Sequence, residues 1–382
     1  TTLALVGAGA AQVLVLGGGG DSAAPSGADA SDAVMQVPSG ADSVVRMDPG
    51  VLEDETMADL YAEVYDATVG NVTGGADGGQ TGPGSGMPAG GMGMVPETLA
   101  ELRQRIERQA GVDPTAVEEV VVFQKQRGVQ SISQGQMPAE PYTGAVVHAE
   151  WSEGKLVGMI EENAMQDLEK TTVSGTTVYR PAGGGGGMGA GTTTSGWLAV
   201  LADGEYAVGT PEVVRDVIAV ENGDADAVGG DLLDAYERTP EGFVRMAQRS
   251  PSIDPAVVDR IGAETGVDLS EYVEAYNDLH VTATSTYTTG SGVGSKTVVL
   301  TNSTETAKDV ASMADGLRSI QAGAVQNPAL ESELRAISIE RDGTTVTVSR
   351  ETSVDDMVAI LEWYMGLFEG GAMSMPTGNP VA

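Results

Sequence analysis

Residues 197–220 read WLAVLADGEYAVGTPEVVRDVIAV, and this stretch decides the fold class. Two short apolar runs, 197–201 and 206–208, flank Asp203-Gly204, a pair suited to a tight hairpin turn. A helix is predicted directly after them over 211–220. It has Thr210 at its N-cap and Pro211 at its first position, where a missing N–H costs nothing. A strand pair running straight into a helix points to an α+β fold with antiparallel sheet.

Outward from this stretch the same grammar continues. Upstream, strands are predicted at 43–48, 120–123 and 145–149, and a hairpin over 168–179 turns at Ser174-Gly175. Helices are predicted at 54–69, with Met57, Leu60, Tyr61, Val64 and Tyr65 at 3–4 spacing, and at 97–110, with Leu99, Leu102 and Ile106 on one face. Downstream come a strand at 243–247, a helix at 255–265 and strands at 279–287 and 296–301. A long helix over 305–321 is capped by Thr304, a hairpin over 336–348 turns at Asp342-Gly343, and a helix over 354–368 follows.

Three landmarks recur in one order. Val45-Arg46-Met47 is echoed by Val244-Arg245-Met246. Arg105-Ile106 and Gly111-Val112-Asp113 are echoed at identical spacing by Arg260-Ile261 and Gly266-Val267-Asp268. Gly175-Thr176-Thr177-Val178 is echoed by Gly343-Thr344-Thr345-Val346. A shared order favours internal duplication. The expected architecture is two duplicated units of antiparallel sheet with helices packed on one face. The first unit spans 34–235 and is interrupted by Gly-rich loops at 70–93 and 183–196; the second spans 236–369, and 370–382 is a flexible tail. The Met residues of the loops (Met87, Met92, Met94 and Met188) could form a soft binding surface, but mobile insertion is the plainer reading.

Composition narrows the environment. The 382 residues carry 55 Asp and Glu against 20 Lys and Arg, a formal net charge of −35, and only five of the cations are lysines. Self-repulsion of this size opposes compaction in dilute salt, and molar salt removes it by shortening the Debye length to roughly 3 Å. The acid is dispersed along the chain, which makes it a solvated surface adapted to salt rather than a docking tail. No basic stripe exists to neutralise phosphates, so nucleic acid is excluded as a partner. The absence of cysteine excludes disulfides, thiolate metal sites and a cysteine nucleophile.

Residues 1–16, TTLALVGAGAAQVLVL, are uncharged and apolar. They suit the apolar region of an export signal and are short for a bilayer span. Residues 17–33 are expected to be a flexible linker. The expected location is therefore extracellular or at the cell surface, with any membrane contact confined to the N-terminal segment.

The segment is similar to the lipoprotein signals of secreted proteins from extreme halophiles. Val15-Leu16-Gly17-Gly18 occupies the place of the small-residue box, and no cysteine follows it to take a lipid. Residues 38–48, Gly175 to Tyr179 and Gly209-Thr210-Pro211-Glu212-Val213 resemble recurring phrases of a loosely defined class of secreted envelope proteins of unknown function from such organisms. That class brings no established activity with it.

The candidate chemical motifs are weak. Gly290 to Thr297, GSGVGSKT, resembles a phosphate-binding loop, but Ser295 separates the glycine from Lys296 and strand-like sequence lies on both sides, so a hairpin loop is expected. The two histidines, His148 and His280, fall in predicted strands with no spaced ligand partner and no nucleophile elbow. Glu161-Glu162 and Asp355-Asp356 have the form of acid/base pairs but arise from an acidic composition by itself, and Asp224-Ala225-Asp226, a weak calcium candidate, lacks the rest of the EF-hand spacing, so a solvated loop is expected. Asn71 and Asn302 head glycosylation sequons. No catalytic residue, metal ligand or cofactor is assigned. The function expected is binding or assembly at the cell surface, through an unknown protein partner or self-assembly, without catalysis. One form of it is a subunit of an extracellular filament or layer that retains the apolar segment. A secreted hydrolase using carboxylates or a metal is the alternative.

Overall fold

The computed structural model describes residues 28–66, 96–111, 113–125, 142–164, 167–182, 196–250, 277–325 and 327–369. The apolar run 1–16, both Gly-rich loops apart from Gly196, the helix expected at 255–265, the tail 370–382 and Asn71 lie outside them.

Local chemistry accounts for the hairpins. Strand β4 (Leu168–Val173) turns into β5 (Thr176–Pro181) through Ser174 and Gly175, at φ 48° and 90°. Positive φ at both central residues is what a type I′ turn requires. Strands β6 (Trp197–Ala202) and β7 (Glu205–Gly209) are joined by Asp203-Gly204, and helix α5 (Pro211–Glu221) follows with Thr210 at its N-cap. The Thr210 side chain makes no capping hydrogen bond, so the preset φ of Pro211 starts this helix.

The remaining strands are β1 (Ser43–Met47), β2 (Val117–Lys125), β3 (Tyr142–Ala149), β8 (Val244–Arg249), β9 (Leu279–Thr288), β10 (Gly292–Thr301), β11 (Ser338–Asp342) and β12 (Thr345–Ser353). Helices α1 (Asp32–Met35), α2 (Glu55–Tyr65), α3 (Leu99–Ala110) and α4 (Glu153–Ala164) precede α5. Helices α6 (Asp231–Glu237), α7 (Thr304–Ala324), α8 (Pro328–Ala336) and α9 (Val354–Glu369) follow it.

The twelve strands among the described residues belong to one antiparallel sheet, ordered β11-β12-β10-β9-β8-β1-β2-β3-β7-β6-β5-β4. Both expected units contribute to this single sheet. They meet where β1 pairs with β8, and Val44, Val45, Arg46 and Met47 lie opposite Ala247, Met246, Arg245 and Val244. The two Val-Arg-Met phrases are thus neighbouring strands. Outward from this joint one side runs β1-β2-β3-β7-β6 and the other β8-β9-β10-β12-β11, with β5 and β4 added at one edge. The third sequence landmark therefore joins hairpins with different places in the sheet. Both are edge pairs, but Gly175 turns β4–β5, the sixth and seventh strands outward from the joint, whereas Gly343 turns β11–β12, the fourth and fifth on the other side.

Helices cover both faces, which corrects the expectation of one. Alternate residues of a strand point to opposite faces. Val146, Val178, Ala199 and Ala207 join Val213, Val214, Val217 and Ile218 of α5, Leu232 and Tyr236 of α6, and Ala33 and Val34 of α1 in the main core. Their neighbours Val147, Tyr179, Leu198 and Tyr206 pack instead against Leu156, Val157 and Ile160 of α4 on the opposite face. A sheet this wide has two apolar faces to cover, and α4 takes the second. The ordered body also begins earlier than the linker expectation, since Ala33 is fully buried within α1.

The phosphate-loop lookalike opens in the β9–β10 hairpin turn at Gly290 and Ser291 and continues as strand. Gly292 to Ser295 already belong to β10, paired with β9 and β12. Gly294 is the register partner of Tyr287, whose ring lies where a Cβ would stand, 2.2 Å away. Glycine here makes room for an aromatic ring across the ladder.

Candidate functional site

The densest polar arrangement among the described residues lies at the β1–β8 joint, beneath the segment that carries α1. Arg46 and Arg245 are register partners, two like charges placed opposite each other in mid-sheet. Such a pair is unfavourable unless each charge has its own compensation.

Arg46 is compensated by carboxylates. Its Nε donates to Glu119 Oε2 at 2.8 Å, and Asp48 and Glu241 stand at 3.8 and 3.9 Å. Burial works against the Arg46 charge, but the hydrogen bond and charge of Glu119 outweigh it and raise its pKa. Arg245, 1% exposed, is the largest fully buried side chain described. Its Nη2 donates to the carbonyls of Ala28, Tyr236 and Thr239 at 2.8, 2.9 and 3.1 Å, and its Nη1 to that of Asp29 at 3.1 Å. The guanidinium stacks on the Tyr236 ring at 4.0 Å, a cation–π contact away from water. Burial lowers the Arg245 pKa and pushes the Tyr236 hydroxyl up to about 12.

Glu119 accepts from two donors and has a histidine beside it. Besides Arg46 it accepts from Ser31 Oγ at 2.7 Å, and His148 Nδ1 stands 3.4 Å from its Oε1. His148 Nε2 faces Gln36 Oε1 at 3.2 Å, and Gln36 Nε2 donates to Glu205 and Glu221 at 2.8 and 3.1 Å. Ser31 and Gln36 flank α1, and Ala28 N donates to Thr239 O while Val228 N donates to Val37 O. The network is therefore a clamp. It ties residues 28–37 across the line where the two halves of the sheet meet, and its polar groups are spent on that task except for the buried Tyr236 hydroxyl, which has no hydrogen-bond partner among the described residues.

The sequence candidates do not converge. His148 belongs to the clamp, while His280 in β9 pairs with Asp231 on the surface at 2.5 Å, the two side chains 42% and 58% exposed. Four strand steps separate β3 from β9, roughly 19 Å at about 4.8 Å per strand. No group of three or more His, Asp or Glu that could hold a metal occurs among the described residues. Glu161 accepts from Leu168 N, and Asp356 joins Ser353 in the first turn of α9, where acid suits the helix dipole. Asp224 and Asp226 are exposed. Asn302 is exposed in the turn between β10 and α7, and Ser303 rather than Thr304 caps that helix, its Oγ accepting from Thr306 N. Nothing in the sequence marked Glu119, Gln36 or Ser31, although the repeated Val-Arg-Met phrase did mark both arginines.

No known protein family matches the chain, and no curated protein does. Among solved structures, crystal forms I, III and IV of TP0453 are similar at TM-scores of 0.38, 0.39 and 0.39, with 10%, 10% and 8% identity. Each alignment covers 87% of this chain, and 98%, 99% and 97% of TP0453.

Proposed function

We propose that this chain is an exported, salt-adapted envelope protein that acts by binding or assembly rather than by catalysis, on a body built from two duplicated units. The observation that carries the non-catalytic reading is the separation of the two histidines, each committed to different partners four strands apart. The duplication is supported by the order of strands on either side of Arg46 and Arg245. It is supported too by the Gly-turned hairpins β6–β7 and β11–β12, each of which leads into a helix. Export is supported by the apolar run 1–16 and by the dispersed charge of −35. Among the described residues no helix is long and apolar enough to cross a membrane; the segment we assign to any anchoring is 1–16.

Intact mass and N-terminal sequencing of the protein from its native cells test this reading. A start within 17–27, with or without an added lipid, supports a tethered surface domain. Retention of 1–16 moves the function to assembly, with that segment packing into a neighbouring subunit of a filament or layer. A hexose-bearing peptide containing Asn302 would supply independent support for export. Recovery of the protein in the cytoplasm, with no glycan, would overturn the proposal.

A further inference from the structure

At the far end of the sheet from the clamp, α8 presents Glu333 to β12 and to the start of α9. The residue is 4% exposed, and its Oε2 has no hydrogen-bond partner. The groups that act on its carboxyl are Thr352 and Arg350 from β12 and Asp356 from α9. Asp356 is engaged by Ser353, whose Oγ lies 2.5 Å from Asp356 Oδ2. On α8 itself Glu331 holds Arg335, and on the neighbouring α7 Arg318 is held by Asp315 and the Ile337 carbonyl.

An ionised carboxylate with an unpartnered oxygen in such a place is expensive, whereas a protonated carboxyl is not. We propose that Glu333 is a proton-operated latch, whose neutral carboxyl seats α8 against β12 and α9 and whose ionisation loosens that corner while the rest of the sheet stays folded. Burial pushes the Glu333 carboxyl up to about 7, Asp356 pushes the same way, and Arg350 and Thr352 oppose them. The folded group holds its proton more tightly than the unfolded chain does. Its contribution is therefore complete below the ordinary carboxyl range and is lost as pH rises through about 7. The latch is independent of where the protein resides.

Hydrogen exchange of the full chain in molar KCl tests it, because salt screens the pH dependence of the other carboxylates. Once intrinsic exchange is corrected for, protection of peptides covering 328–336 and 354–360 should fall by up to about tenfold per pH unit as pH rises from the ordinary carboxyl range to a midpoint of about 7, and level off above it. Peptides from β8 and β9 should not follow. Glu333→Gln, whose amide is neutral at every pH, should abolish the fall. Asp356→Asn, which keeps a capping side chain but removes the negative neighbour, should move the midpoint to lower pH. An unchanged fall in Glu333→Gln overturns the latch, as does a midpoint unmoved by Asp356→Asn. Lower protection of Glu333→Gln at alkaline pH also overturns it, since that would make an ionised Glu333–Arg350 pair the stabilising form.

Discussion

Arg46 and Arg245 stand opposite each other across the β1–β8 joint, and only Arg46 is neutralised by carboxylates; the charge of Arg245 is solvated by carbonyl groups and the face of Tyr236. This division resolves a like-charge repulsion at the centre of the sheet. It also makes Arg245 the pin that holds the segment leading into α1, since two of its acceptors are the carbonyls of Ala28 and Asp29.

Removing that pin should be costly. Arg245→Met leaves the carbonyls of Ala28, Asp29, Tyr236 and Thr239 without their buried donor. The expected loss is about 3–5 kcal/mol. Arg245→Lys should recover only part of it, because an ammonium has fewer donors and no planar face for stacking. Denaturant titration in molar KCl measures the loss, and limited proteolysis should find new cuts within 28–41. Wild-type stability in either variant would remove the pin.

A second test separates pairing from burial at Arg46. Glu119→Leu strands Arg46 and should cost about 3–5 kcal/mol, whereas Glu119→Leu combined with Arg46→Leu should recover much of it. A double-mutant cycle with no coupling would assign Glu119 to Ser31 and His148 instead.

Gly294 offers a local test of the β9–β10 ladder. Ala at this position places a methyl about 2.2 Å from the Tyr287 ring, and overpacking of this kind costs about 1–3 kcal/mol. The same change in a Tyr287→Ala background should be nearly neutral. Equal effects in both backgrounds would mean that Tyr287 moves aside without cost.

Salt should govern the stability of the whole molecule. With a net charge of −35, the thermal midpoint should climb steeply between roughly 0.1 and 1 M KCl, where the Debye length falls from about 10 Å to about 3 Å. Differential scanning calorimetry across that range reads it directly. A flat midpoint would mean that the acid is not a salt adaptation.

Legibility followed the range of the interaction. Helix α5 could be read because Thr210, Pro211 and its apolar spacing lie within a few residues of one another. Helix α4 could not, because Gly154 and Gly158 depress its propensity and its apolar residues are bunched. The Gly-rich stretch at 290–294 suggested a loop because glycine is a poor strand former; its first two residues are the hairpin turn, and Gly294 lies in β10 against the ring of Tyr287 on the neighbouring strand. Of the clamp, the paired arginines were visible as a repeated phrase. Glu119, Gln36 and Ser31 were ordinary residues in an acidic chain until the fold brought them together.

By itself the sequence determined an α+β body of hairpins and capped helices, a net charge of −35, and the absence of cysteine chemistry. These follow from local turn geometry, helix capping and composition, none of which depends on distant residues. Only the tertiary structure decided that β1 and β8 join the two halves, that helices cover both faces, that the histidines stay apart and that Arg245 and Glu333 are buried. Each of these depends on ladders and packing between residues far apart in the chain, which form only when long loops close. The same residue types on an exposed strand would have had none of these roles.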